Sequence, residues 1–201
     1  MTKDRLLAFS DGVIAVIITI MVLDLRAPHT ADLHALAELL PEFLSYILSF
    51  VYVGIYWNNH HHFFHLVREV NGAVLWANLH LLFWISLVPF ATSWMGAHPE
   101  APIPTAVYGI SLLMPAFAWT IMQTTIIRFQ SGHRGRHGSE LAGAIGNDIK
   151  GKLSLVFYLA GIGLALIETW LADTMYVLVA LMWLVPDKRV ERFVRQRPPS
   201  D

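Results

Sequence analysis

Residues 5–25 read Arg-Leu-Leu-Ala-Phe-Ser-Asp-Gly-Val-Ile-Ala-Val-Ile-Ile-Thr-Ile-Met-Val-Leu-Asp-Leu, so a carboxylate, Asp11, sits within the first turns of a membrane-length apolar run. An ionised side chain in hydrocarbon is unfavourable by several kcal/mol unless it finds a partner or water, which makes Asp11 a functional-site candidate. The plainer reading is that Ser10 or Asp11 caps a helix beginning at Gly12. Rise per residue argues against it. A helix from Gly12 to Leu25 covers about 21 Å, whereas one starting at Leu6 covers about 30 Å, the thickness of the hydrocarbon. The spacing therefore predicts a helix that already contains Ser10 and Asp11.

The rest of the 201-residue chain points to the same solvent. Its hydrophobic fraction is 55% and its charged fraction 14%, outside the range of ordinary water-soluble domains. A net charge of -1 offers no basic surface for nucleic acid. With no cysteine, disulfides, thiolate metal sites and cysteine nucleophiles are excluded together. The first apolar run ends in Asp24-Leu25-Arg26 without a small-x-small cleavage signal, so the first span is expected to stay in the mature protein.

Apolar runs recur at 6–25, 43–57 or slightly beyond, 73–95, 104–127, 153–171 and 174–185, which predicts an all-α membrane protein of six spans. The sixth run is short for a crossing. Basic residues argue for it nonetheless. With the amino terminus in the cytoplasm and six crossings, every Lys and Arg except Arg26 falls on the cytoplasmic side, as the positive-inside rule requires. Five crossings would put the basic tail outside. The expected organisation is a six-span channel domain over 1–187 and a short basic cytoplasmic tail over 188–201. The same topology gathers Asp32, Glu38, Glu42, Glu100 and Asp173 on the outer side, where acid raises local cation concentration; each is also an ordinary solvated loop charge.

The R-x-x-x-F-S-D-G start at Arg5, Phe9, Ser10 and Asp11, with its continuation to Leu25, resembles the transmembrane protein 175 family of potassium channels. The likeness extends to Tyr56-Trp57-Asn58-Asn59-His60-His61, similar to the family's Trp-Asn-x-His segment, and to Leu87-Val88-Pro89-Phe90. The remaining spans match only as apolar segments. The resemblance implies a prokaryotic single-repeat subunit in the cell membrane, assembling as a homotetramer around a pore lined by the first helix. It implies a channel with modest preference for potassium over sodium, no cofactor beyond the permeant ion, and no enzymatic chemistry. It places the constriction at Val16, with Thr19 as a hydroxyl layer and Ile20 and Leu23 as further apolar rings. Family members often carry Ile or Leu at position 16, so the smaller Val16 bears on how tight the ring is. The resemblance also implies an intrasubunit network of Arg5, Phe9, Ser10 and Asp11 with Trp57, Asn58 and His61 that positions the pore helix.

Periodicity is compatible with that stripe, because Gly12, Val16, Thr19, Ile20 and Leu23 share one helical face. It does not choose the face, since Val13, Ile17 and Leu25 opposite are equally apolar. A narrow apolar ring gates by dewetting. Thr105-Ala-Val-Tyr-Gly109 lacks a glycine before Tyr108 and is not read as a carbonyl filter. His61 and His65, at i and i+4, suit a metal, yet a juxtamembrane His run is more often an interfacial polar segment. His80 is read as a hydrogen-bonded core residue rather than a haem ligand, and Glu168 as reaching the interface. The alternative function is a proton-coupled cation or metal transporter relaying through Asp11, His61 and Glu168, but the internal repeat expected of such a protein is not visible.

Overall fold

The structure is a computed structural model that describes residues 2–28, 30–133 and 148–184. Its elements are α1 (Lys3–Leu23), α2 (Leu33–Glu38), α3 (Leu40–Leu66), α4 (Gly72–Ser86), α5 (Val88–Ala97), α6 (Pro102–His133), α7 (Ile149–Ala165) and α8 (Thr169–Leu184), and the described residues contain no strand. The basic tail 188–201, together with Arg134 and Arg136, lies outside the described residues.

Four stretches are long and apolar enough to cross a membrane: Lys3–Leu23, Leu40–Leu66, Gly72–Ala97 and Pro102–Ser131. The helices α7 and α8 are shorter, at 17 and 16 residues. Large apolar side chains cover the outside as well as the inside. Trp76, Phe83, Phe90, Phe117, Leu159 and Leu181 are all exposed, a surface that water would not tolerate and lipid accepts. The chain is an all-helical membrane protein.

Several boundaries differ from the sequence expectation. The second run continues well past Trp57, so the His-rich segment is helix rather than connector. The third span breaks at Leu87. Pro89 has no N–H to give the Ile85 carbonyl, and Leu87 instead donates to the Trp84 carbonyl at 3.2 Å. The fifth run ends at Ala165, six residues before Leu171, because the chain turns at Leu166 to Glu168 with the Glu168 N–H on the Leu164 carbonyl at 2.8 Å. In the outer connector, α2 forms where none was expected. Asp32 caps it by accepting the Ala35 N–H at 2.8 Å, and this contact chiefly holds its carboxyl below the ordinary value.

Two apolar clusters organise the packing. One joins Leu6, Ile14 and Ile17 of α1 to Val53 and Phe64 of α3, Leu81 of α4 and Met122 of α6. The other joins Tyr52 of α3 to Tyr108 and Leu112 of α6, Tyr158 of α7 and Tyr176 of α8. Three tyrosines of this second cluster have their hydroxyls satisfied. Tyr52 donates to the Tyr176 carbonyl at 2.6 Å, Tyr176 to the Thr105 carbonyl at 3.2 Å, and Tyr108 shares a 2.9 Å bond with Ser49. Each such bond contributes about 1 kcal/mol, and leaving its group unpaired costs more. α1 rests on α3, α4 and α5 and touches neither α7 nor α8 closely.

Candidate functional site

The first helix begins at Lys3 and runs 21 residues, about 32 Å. Ser10 and Asp11 therefore lie inside it, and neither is its cap. Leu6, Ser10, Ile14, Ile17 and Met21, spaced three or four apart, form its buried face. Gly12, Val16, Thr19, Ile20 and Leu23 lie around the other side and are exposed, Val16 at 54%, Ile20 at 45% and Leu23 at 77%. Within one protomer this apolar stripe has no covering. Thr19 donates its hydroxyl hydrogen to the carbonyls of Val16 at 2.9 Å and Ala15 at 3.1 Å. That arrangement leaves its oxygen lone pairs pointing outward, able to accept but not to donate.

The buried face carries a directional chain of hydrogen bonds. Ser10 gives its hydrogen to the Leu6 carbonyl at 2.9 Å. Its oxygen must then accept, and it does so from the Asn78 amide nitrogen at 2.9 Å. That choice turns the Asn78 carbonyl oxygen toward His60, 2.8 Å from Nε2. A carbonyl only accepts, so Nε2 carries the imidazole hydrogen. Ser10, Asn78 and His60 are all buried. The His60 ring lies 4.5 Å from that of Phe64, and its Nδ1 has no hydrogen-bond partner among the described residues. α1, α3 and α4 are thereby joined through one polar thread in an apolar interior.

Asp11 points the other way around the helix, toward α3. Trp57 donates its indole N–H to the Asp11 carboxylate at 3.1 Å, a charge-assisted bond at the helix margin. Trp57 also stacks on His61, with ring centroids 6.0 Å apart. Among the described residues His61 shares no hydrogen bond with α1, and its Nε2 faces that of His65 at 3.0 Å. Counted from Trp57, a Trp-Asn-x-His spacing ends on His60, and His60 is the histidine that the helix turns inward. Arg5, Phe9 and Asn58 are exposed, and among the described residues neither Arg5 nor Asn58 shares a hydrogen bond with Ser10 or Asp11. The structure thus joins Asp11 to Trp57 and Ser10 to His60, and it adds Asn78, which sequence reasoning missed. The available signal was an amide in the middle of an apolar span, two positions before the more conspicuous His80.

Other sequence candidates resolve locally. His80 accepts the indole N–H of Trp84, one turn along the same helix, at 2.9 Å. Thr105 to Gly109 is helical, with Thr105 bonded to the Ala101 carbonyl at 3.1 Å. Glu168 lies in the turn between α7 and α8. Among the described residues no three His, Asp or Glu side chains gather where they could hold a metal ion.

Residues 5–89, which contain both threads anchoring α1, match the family described as endosomal/lysosomal potassium channel TMEM175. The chain is 52% identical over 196 residues to potassium channel HX13_20290 of Chryseobacterium sp. (strain P1-3), covering 98% of this chain and 100% of that protein. This chain belongs to the TMEM175 family. Its fold is similar to that in the crystal structure of a lysosomal potassium-selective channel TMEM175 homolog from Chamaesiphon minutus. The TM-score is 0.74 at 26% identity, over 91% of this chain and 96% of that one. The likeness also reaches the Homo sapiens endosomal/lysosomal proton channel TMEM175, 32% identical over 114 residues, which are 51% of this chain and 23% of that protein.

Proposed function

We propose that four copies of this chain assemble in a prokaryotic cell membrane around their first helices and conduct potassium passively. The single observation that carries this reading is the uncovered stripe of Gly12, Val16, Thr19, Ile20 and Leu23 on a helix otherwise fixed to its own protomer. An apolar stripe of this kind needs lipid or other copies of itself. The continuous match over residues 5–89 to a family described as a potassium channel favours the second.

In the proposed pore, four Val16 side chains form the constriction. An apolar ring strips part of an ion's hydration and supplies no carbonyl cage, so the ion that dehydrates at lower cost passes more readily. Potassium is that ion against sodium, and the preference is modest. Above the ring, Thr19 presents oxygen lone pairs toward the axis, a donor set that suits partly hydrated monovalent cations. Ile20 and Leu23 extend the apolar lining. The threads through Ser10 and Asp11 hold the pore helix in rotational register, and Asp11 acts as an anchor rather than as an ion site. Six crossings, with α7 and α8 as the last two and both termini in the cytoplasm, complete the proposed subunit.

The test is ion flux in reconstituted liposomes carrying a potassium gradient. Purified protein of tetrameric mass should release potassium without valinomycin, and faster than sodium under the mirrored gradient. A well-folded tetramer that leaves the gradient intact would end the channel reading.

A further inference from the structure

Trp57, His61 and His65 follow one another at intervals of four residues along α3, so they share one helical face. The indole of Trp57 holds the first helix through Asp11 and stacks on His61. The next step along this face takes no part in that anchoring. There the rings of His61 and His65 meet edge to face, with centroids 4.5 Å apart and the two Nε2 atoms 3.0 Å from each other. Two imidazole lone pairs at that distance repel unless something positive lies between them. A hydrogen carried by one ring serves, and so does a metal ion held by both.

Imidazole nitrogen binds late transition metals at about 2.0–2.1 Å, and two such bonds at roughly 90° to 110° set the nitrogens about 2.8–3.4 Å apart. The observed 3.0 Å falls in that interval, so the two donors are already placed and an ion is captured without a change of rotamer. His65 is exposed and His61 half-buried, which gives the ion access from water. No third His, Asp or Glu joins the pair among the described residues, so water completes the coordination and the ion remains exchangeable. Lys3, at the start of α1, repels positive charge at His65 and keeps the affinity below that of a closed structural site. Donor type decides which ion enters. Imidazole suits nickel, copper and zinc, whereas potassium and magnesium take oxygen.

We propose that His61 and His65 chelate one divalent late transition-metal ion per chain, and that the bound ion acts on α1 through the Trp57 stack. His61 belongs to both contacts. When the ion fixes its ring, it also fixes the indole whose N–H holds Asp11. Widening an apolar constriction requires the helix that lines it to move, so a clamp on the anchor of that helix lowers flux. The chelate site stands independently of the channel reading, and its effect on flux rests on that reading.

The test titrates tag-free protein in detergent with Ni²⁺ by calorimetry. The parent should bind one ion per chain and give no heat with Mg²⁺. His61→Ala and His65→Ala should each lose that binding, and His62→Ala, an exposed neighbour outside the pair, should keep it. In the same samples Ni²⁺ should raise the unfolding midpoint of the parent and not that of His65→Ala. In liposomes Ni²⁺ should lower potassium release by the parent severalfold and leave His65→Ala unaffected. No binding by the parent, or binding undiminished in both single variants, overturns the site. Binding without a change in flux overturns the relay through Trp57. A protein that binds Ni²⁺ as expected, yet releases no potassium with the metal absent, counts against the channel reading and leaves the site standing.

Discussion

At position 16 a valine stands where one methylene more or less alters the width of the proposed ring on every side at once. Val16→Ala should widen the constriction and lower the preference for potassium over sodium in bi-ionic flux measurements, with total flux rising. An unchanged permeability ratio would move the constriction to Ile20 or Leu23. The anchoring residues make a different forecast. Removing the Asn78 amide strands the His60 Nε2 hydrogen in a dry interior and takes from the Ser10 oxygen the donor it accepts, while the Ser10 hydrogen stays on the Leu6 carbonyl, and an unpaired buried polar group costs about 1–3 kcal/mol. Asn78→Ala should therefore lower the thermal midpoint in detergent by several degrees. Asp11→Ala loses one partly exposed bond to Trp57, worth about 1 kcal/mol, and should leave the midpoint closer to wild type while reducing tetramer yield or open probability. Equal midpoints in the two variants would contradict the weight given to the Ser10 thread.

Among elements, the hairpin of α7 and α8 depends on close approach at glycine. A Cβ at Gly161 would stand 2.5 Å from Cε1 of the buried Tyr176 ring, which is itself fixed by its hydroxyl bond to the Thr105 carbonyl. Gly161→Ala should destabilise by about 1–3 kcal/mol through overpacking, read as a lower unfolding midpoint, whereas Gly163→Ala, with nothing within 4 Å, should not. The course of α1 was legible in the sequence because, at about 1.5 Å rise per residue, a helix that crosses the hydrocarbon and ends near Leu25 has to begin before Ser10. Its exposed face was not, since Val13 and Ile17 are as apolar as Val16 and Ile20, and only the neighbouring helices decide which set is covered. The helical His-rich end of α3 was hidden for a related reason. Hydropathy reports solvent preference, and Asn59 to His62 and His65 are polar without breaking helical hydrogen bonding. Choosing His60 over His61 needs the phase of that helix, a difference of one residue and about 100°.

For the whole molecule, four stretches are long and apolar enough to cross a membrane and the helices α7 and α8 are shorter, so the proposed six crossings and their orientation rest on the partition of basic residues. Six crossings put Glu100 outside and Glu69 inside. In intact cells, a membrane-impermeant maleimide should label Glu100→Cys and spare Glu69→Cys until the cells are opened, and the reverse pattern would invert the topology. The proposal that α1 lines a conducting axis is tested most directly by modifying that helix during conduction. In liposomes loaded with potassium, a positively charged thiol reagent added to the Thr19→Cys channel should suppress potassium flux and leave the parent channel and Ile14→Cys, on the buried face, unaffected. Undiminished flux through fully modified Thr19→Cys, or equal block at Ile14→Cys, would contradict a pore lined by this face of the first helix.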